Sequence, residues 1–231
     1  MTNPGTVFLF DVDNTLLDND SVQAELREHL TEHYGAEACR RYWEIFEELR
    51  GALGYADYLG ALERYRVEEM HDPRILRMAT WLVDYDFASK LYAGAMDAVN
   101  YSWQHGTCAI LSDGDAVFQP RKVQRSGLWH TLRDNVLIYI HKEQELDDVE
   151  RLFPAEHYVL VDDKVRILHA VKQVWGDRVT TVFPRQGHYA ADTAEVAKYP
   201  PADYTIDRIG DYPSVCDAIL QARGRARASR G

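Results

Sequence analysis

Cysteine is scarce in this chain and poorly placed for chemistry. Cys39, Cys108 and Cys216 are odd in number and far apart, with no Cys-x-x-Cys or Cys/His cluster. That excludes a zinc-ribbon framework and a disulfide scaffold. Three small core residues in a reducing cytoplasm is the expectation. Long hydrophobic runs are also missing. The longest reach about five residues, far below the ~20 that cross a bilayer, so no membrane partner is expected. Positive charge is in short supply: 26 Lys plus Arg stand against 37 Asp plus Glu, a net of −11. A nucleic-acid binder needs a basic footprint, so nucleic acid is excluded as a general partner. Met1–Thr6 carries no basic region of a leader peptide and runs straight into an apolar stretch. Only the end reverses the charge balance. Gln221–Gly231 holds Arg223, Arg225, Arg227 and Arg230 and no acid, and residues 223–231 are expected to form a flexible basic tail.

What the chain does have is the composition of a globular protein. Its 231 residues are 46% hydrophobic and 27% charged, which excludes intrinsic disorder. The length suits one large domain, or a core with an insert. Five short apolar runs stand out: Val7–Phe10, Thr107–Leu111, Val136–Ile140, Tyr158–Val161 and Val179–Phe183. They do not alternate with polar residues, as expected of strands buried on both faces of a parallel sheet. Helical patterns lie between them, and Ser214–Ala222 reads as a last helix. Strand and helix in alternation predict a doubly wound, Rossmann-like α/β core.

One region breaks the alternation. Residues 18–92 hold no strand run, only helical stripes: Val22, Leu26, Leu30 and Tyr34; Tyr42, Trp43, Phe46 and Leu49; Tyr55, Tyr58, Leu59, Leu62 and Tyr65; Ile75, Ala79 and Leu82. Asp72-Pro73 reads as the start of the fourth helix, with Asp as N-cap and Pro in the first turn. Four helices are too many for one crossover. The expectation is a core of residues 1–17 and 93–222 with an all-helical cap inserted at 18–92.

In an open α/β sheet, ligands bind beyond the carboxyl ends of the strands. The residues that follow the strand runs are Asp11 and Asp13, then Ser112 and Asp113, then Lys142, then Asp162 and Asp163. One crevice thus receives a hydroxyl, a lysine and several carboxylates. Two like charges 4 Å apart repel by roughly 4 kcal/mol at an effective dielectric of 20. Proton sharing is one remedy; a hard divalent cation such as Mg²⁺ is another. Lys142 can balance a carboxylate and an incoming phosphoryl charge.

Phe-Asp-Val-Asp-Asn-Thr-Leu, Ile-Leu-Ser-Asp-Gly, Lys142 and Leu-Val-Asp-Asp come in that order, each after a strand run. Together they resemble the four motifs of the haloacid dehalogenase (HAD) superfamily, and the helical insert resembles the cap that follows its first motif. The resemblance implies a hydrolase acting on a small phosphorylated molecule. In it Asp11 is the nucleophile that forms an aspartyl-phosphate, and Asp13 is general acid and then base. Ser112 and a neighbouring backbone N–H hold phosphate oxygens, and Lys142 neutralises charge. Mg²⁺ is held by the Asp11 carboxylate, the Asp13 carbonyl and Asp162. Asp163 is either a ligand through water or an anchor for Lys142. The dehalogenases that name the superfamily lack an aspartate two residues past the nucleophile, because a halide leaves without a proton. Asp13 therefore favours ester hydrolysis. A sugar-phosphate mutase, a 2-haloacid dehalogenase and a non-catalytic phospho-ligand or protein-binding domain are the alternatives.

Two positions depart from the pattern. Asp113 stands where a small neutral residue is commoner and adds charge beside the phosphate subsite. His-Lys-Glu replaces the usual proline after the lysine, which leaves Lys122 as a rival to Lys142. Asp115 reads as a helix cap, His141 as structural, and His188 as a residue that could face the crevice. In caps of this type the turn between the second and third helices faces the site; here that is Arg50–Tyr55. Arg50 is either a surface arginine ending a helix or the binder of a second anionic group on the substrate. The oligomeric state, monomer or homodimer, is left open.

Overall fold

The structure, a computed structural model, describes residues 5–70 and 72–228, the final three without their side chains. Six strands make one sheet: β1 (Thr6–Phe10), β2 (Gly106–Asp113), β3 (Val136–Tyr139), β4 (His157–Val161), β5 (Val179–Pro184) and β6 (Tyr204–Ile206). Their order is β3-β2-β1-β4-β5-β6, and every neighbouring pair is parallel. Five strands match the apolar runs. The sixth adds to the expectation: Tyr-Thr-Ile is a three-residue edge strand, too short for a periodic signal.

The sheet is buried on both faces, which is why its strands read as unbroken apolar runs. Period two divides them. Val7, Leu9, Ala109, Leu111, Tyr158 and Leu160 pack with Val149 of α8 (Leu146–Leu152) and Leu168 and Val171 of α9 (Val165–Trp175). Phe8, Phe10, Cys108, Ile110, Val159 and Val161 face the other way. They meet Val99 of α5 (Ala95–Trp103) and Cys216 and Ile219 of α12 (Tyr212–Ala228). Phe10 and Tyr212 close this layer edge to face at 5.4 Å. A fully buried side chain of this size contributes roughly 1.5–3 kcal/mol. The remaining helices are α6 (Phe118–Arg125), α7 (Leu128–Thr131), α10 (Gly187–Ala191) and α11 (Thr193–Val196).

The described elements between residues 18 and 92 are all helical: α1 (Asn19–Tyr34), α2 (Ala36–Leu53), α3 (Tyr58–Glu68), α4 (Ile75–Val83) and a 3-10 turn at Phe87–Lys90. The predicted stripes are their buried faces, with Val22, Leu26 and Leu30 on α1 and Tyr42, Trp43 and Phe46 on α2. Two starts differ. Tyr55 precedes α3, because the Asp57 carboxylate accepts the Gly60 N–H at 2.7 Å and begins the helix there. Asp72 bends the chain instead of capping a helix, its Oδ1 accepting from Arg74 N at 2.9 Å, and α4 begins at Ile75. The stretch leaves and rejoins the core side by side. Asp18 N–H donates to Lys90 O and Tyr92 N–H to Leu16 O, with Leu17 bridged to Leu91.

Helix α12 runs to Ala228, so residues 223–228 continue a helix where a flexible tail is expected. Arg230 and residues 1–4 lie outside the described residues. Among the described residues no helix is long and apolar enough to cross a membrane.

Candidate active site

The strand order reverses between β1 and β4. Chain leaving β1 for α5 and β2 goes to one side, and chain leaving β4 for β5 goes to the other. This opens a crevice at their carboxyl ends. Asp11 follows β1 and Asp162 follows β4, so the reversal itself brings these carboxylates together. Just past Asp11 the chain turns sharply. Asn14 takes φ +59°, and the N–H groups of Leu16 and Leu17 both donate to Val12 O at 2.9 Å. Asparagine tolerates that left-handed backbone. Its Oδ1 also accepts from the N–H groups of Asn19 and Asp20, at 3.1 and 3.2 Å, which starts α1.

Lys142 is the hub of the site. It lies in a 3-10 turn at Lys142–Gln144 and is fully buried, unlike the solvated lysine usual at such a position. Its Nζ donates to Asp11 Oδ1 at 2.6 Å and to Leu111 O at 3.2 Å. It also lies 2.6 Å from Asp162 Oδ2. Ser112 Oγ donates to Asp11 Oδ1 at 3.1 Å. Asp113 Oδ1 accepts the Lys142 backbone N–H at 2.8 Å. The extra carboxylate of the second motif thus holds the third-motif turn. Asp162 Oδ1 accepts from Lys164 N at 2.8 Å, opening α9. Asp163 is not the anchor of Lys142. Its backbone N–H bonds Thr15 Oγ1 at 3.0 Å, while both of its carboxylate oxygens are buried without a hydrogen-bond partner.

Three buried carboxylates therefore share two ammonium groups, those of Lys142 and Lys164. Burial alone would raise the pKa of Asp11, but Lys142 and Lys164 outweigh it and hold this carboxyl below its ordinary range. At Asp162 burial prevails over Lys142, and the pKa is pushed up to about 6. Burial drives Asp163 up furthest, with Lys164 opposing. Lys142 stays charged: burial opposes its ammonium, but Asp11 and Asp162 pull its pKa well above the ordinary value. Of the three carboxylates, Asp163 is therefore the one whose charged form is most disfavoured. Asp11 Oδ2 and both Asp163 oxygens lack hydrogen-bond partners, and Asp162 Oδ2 meets only the Lys142 ammonium. Asp11, Asp162 and Asp163 each offer one ligand atom, all within 4.8 Å of one another. Orphaned hard oxygens at that spacing fit a divalent cation. The Asp13 side chain is not part of this triad; it meets Lys122 instead.

Lys122, the rival for the third-motif role, has a different partner. It is fully buried, and its Nζ donates to Asp13 Oδ1 and Oδ2 at 2.7 and 2.9 Å. Gln119, one turn earlier on α6, donates to Asp13 Oδ2 at 3.3 Å and to Ser112 Oγ at 3.1 Å. Asp115 begins that helix, accepting from the N–H groups of Val117 and Phe118 at 2.7 and 2.6 Å.

A cleft of about 690 Å³ opens between cap and core, lined among others by Asp13, Asn14, Asp113, Lys164 and His188 of the core and Arg27, Arg50 and Tyr55 of the cap. Arg50 lies in the last turn of α2, paired with Glu47 at 2.9 Å, and lines the cleft. His188 lines it too, its Nδ1 2.6 Å from Asp20 Oδ1. Gly54 caps α2 at φ +83°, and a Cβ there would stand 2.5 Å from His141 Cε1, so the cap turn rests directly on the third-motif loop.

No family model and no curated protein matches the chain. A solved structure of a haloacid dehalogenase-like hydrolase from Burkholderia xenovorans is 60% identical, with a TM-score of 0.86, over 90% of this chain and 97% of that one. The chain belongs to the haloacid dehalogenase superfamily. More distant solved structures share the HAD fold. A HAD-hydrolase of Bacillus subtilis bound to magnesium is 17% identical, with a TM-score of 0.60, over 92% of this chain and 99% of that one. L-2-haloacid dehalogenase of Xanthobacter autotrophicus is 19% identical, with a TM-score of 0.61, over 91% and 98%.

As a HAD-like hydrolase, the chain brings Asp11, Ser112, Lys142, Asp162 and Asp163 to one point, with Asp13 and Asp113 at the cleft. Gln119, Asn19, Tyr58 and Lys164 are site neighbours that the motifs do not name. A signal was present for one of them: Gln119 and Lys122 are one helical turn apart just after the second motif.

Proposed function

We propose that this HAD-like hydrolase is a Mg²⁺-dependent phosphatase of small phosphomonoesters. The observation that carries the reading is Asp13. Two residues past Asp11, its side chain is 24% exposed at the cleft. An alkoxide leaving group needs a proton there; a halide does not. In the first step the Asp11 carboxylate attacks phosphorus, the ester P–O bond breaks, and Asp13 gives its proton to the departing oxygen. In the second step Asp13 takes a proton from water. That water attacks phosphorus, the bond to Asp11 breaks, and inorganic phosphate leaves. Lys142 and Ser112 hold the attacking carboxylate in place and oppose the charge that develops.

A magnesium ion held by Asp11, Asp162 and Asp163 would offset their mutual repulsion and the charge on the transferring phosphoryl group. All of its protein donors would be hard oxygens, the set Mg²⁺ prefers. The orphaned oxygens support that choice. Asp11 is 2% exposed and does not line the cleft, so the phosphate reaches it only when the cap or the side chains above it shift.

The test is a panel of phosphomonoesters with Mg²⁺ and with EDTA. Phosphate release that stops with EDTA and in Asp11→Asn is expected. Halide release from 2-haloacids without metal would establish the dehalogenase in its place. Isomerised sugar phosphate without free phosphate would establish a mutase. No turnover and no fluoride-analogue adduct at Asp11 would leave a binding domain.

A further inference from the structure

The buried network around Lys122 reaches beyond the four motifs. All three protons of its ammonium have acceptors: Asp13 Oδ1 at 2.7 Å, Asp13 Oδ2 at 2.9 Å and Asn19 Oδ1 at 3.0 Å. Asn19, the first residue of α1, donates from Nδ2 to the hydroxyl of Tyr58 at 3.3 Å. Gln23 donates to the same hydroxyl at 2.9 Å. Tyr58 is the first residue of α3, is 2% exposed, and packs on Phe118 with ring centroids 5.0 Å apart. The lysine itself lies 5.7 and 5.6 Å from the Tyr58 and Phe118 ring centroids. A chain of hydrogen bonds thus runs from Asp13 through a core helix into two cap helices.

Solvation of Asp13 does not require this lysine, since that carboxylate is partly exposed to water. Buried ion pairs also contribute little net stability. What Lys122 does supply is geometry: with both oxygens gripped, Asp13 is held to one rotamer at the cleft. We propose that Lys122 is a positioning residue for proton transfer. With Gln119 it orients Asp13, and through Asn19 and Tyr58 it links that orientation to the seating of the cap. This inference rests on Asp13 being the acid and base of a phosphatase.

The test uses the full chain with Mg²⁺ and two esters: p-nitrophenyl phosphate, whose leaving group departs with little help from an acid, and an unactivated alkyl phosphate. Lys122→Met should lower kcat/KM, which reports the step in which Asp13 acts as acid, by about 100-fold on the alkyl ester and by less than about fivefold on p-nitrophenyl phosphate, since general acid catalysis contributes 10²–10⁴. In an Asp13→Asn background Lys122→Met should add nothing. A structural lysine would lower both esters alike and combine additively with Asp13→Asn; either result overturns the proposal. Thermal melts check that the variant folds. If it does not, Gln119→Leu carries the same comparison with a smaller loss. A wild-type chain that hydrolyses neither ester removes the phosphatase reading and this inference together. An active wild type with a leaving-group-independent loss removes this inference alone.

Discussion

Replacing Lys142 with methionine should make the fold depend on a divalent cation. The ammonium is fully buried, 2.6 Å from Asp11, whose side chain is 3% exposed, and 2.6 Å from Asp162, whose side chain is fully buried. Removing it leaves two carboxylates uncompensated beside a third, Asp163. Breaking a buried pair in this way costs roughly 3–5 kcal/mol. For a chain of this size each kcal/mol lowers Tm by roughly 2–4 °C, so a fall of roughly 6–20 °C is expected in EDTA. A cation bound at 100 times its Kd contributes about 2.7 kcal/mol, so Mg²⁺ should return a large part of the loss. Differential scanning fluorimetry with EDTA and with Mg²⁺ measures both numbers. Lys198→Met is the control. Its pair with Glu195 is exposed, and such pairs contribute about 0–1 kcal/mol. If Lys142→Met melts with Lys198→Met in EDTA, the charge account of this site is wrong.

Three further outcomes follow from the same geometry. Mg²⁺ should raise the Tm of the wild type but not of Asp162→Asn; an equal rise in both would place the cation elsewhere. His157 is buried, and burial, reinforced by Arg223 and Lys172, holds its pKa down at about 4. The unfolded chain therefore takes up a proton first as pH falls. Stability should be full above about pH 6.5 and fall by roughly 3 kcal/mol as pH drops to the folded value. Urea melts across that window should show this slope in the wild type and lose it in His157→Gln; a slope unchanged by the substitution assigns it to other groups. Gly54→Ala places a Cβ against His141 at a left-handed backbone position. It should destabilise by about 1–2 kcal/mol from the backbone alone, and a Tm equal to wild type would show that the cap turn does not rest on the core as described.

The core was legible because each parallel strand is buried twice. Val7–Phe10 and Tyr158–Val161 have no polar face to interrupt them, and the residues that end them are the reactive ones. β6 was not legible, because an edge strand of three residues carries no period. Asp11, Ser112, Lys142 and Asp162 could be placed by order along the chain, since the strand order carries them to one point. The destinations of Asp163 and Lys122 could not. Whether a buried carboxylate meets a lysine depends on side-chain direction across elements far apart in sequence. Nothing in Asp-Asp-Lys tells that Asp162 takes the Lys142 ammonium while Asp163 keeps two unpartnered oxygens. Lys122 shows the same limit: its position after the second motif made it a rival for the wrong carboxylate. The start of α3 was displaced from Tyr55 because an aspartate two residues on made the better cap, which leaves that aromatic free in the cleft.

The paired strands of backbone at Leu16–Asp18 and Lys90–Tyr92 have a consequence for how such a chain can change. The whole helical excursion is pinched shut at its base, so its closure is settled locally, and the sheet meets it as little more than a short connector. Beyond the pinch, two contacts still tie the helices to the core: Gly54 rests on His141, and Tyr58 packs on Phe118. Change in this stretch is therefore confined to the segments between these contacts, with Asn19, the residue following the pinch, still offering its oxygen to the lysine beneath it.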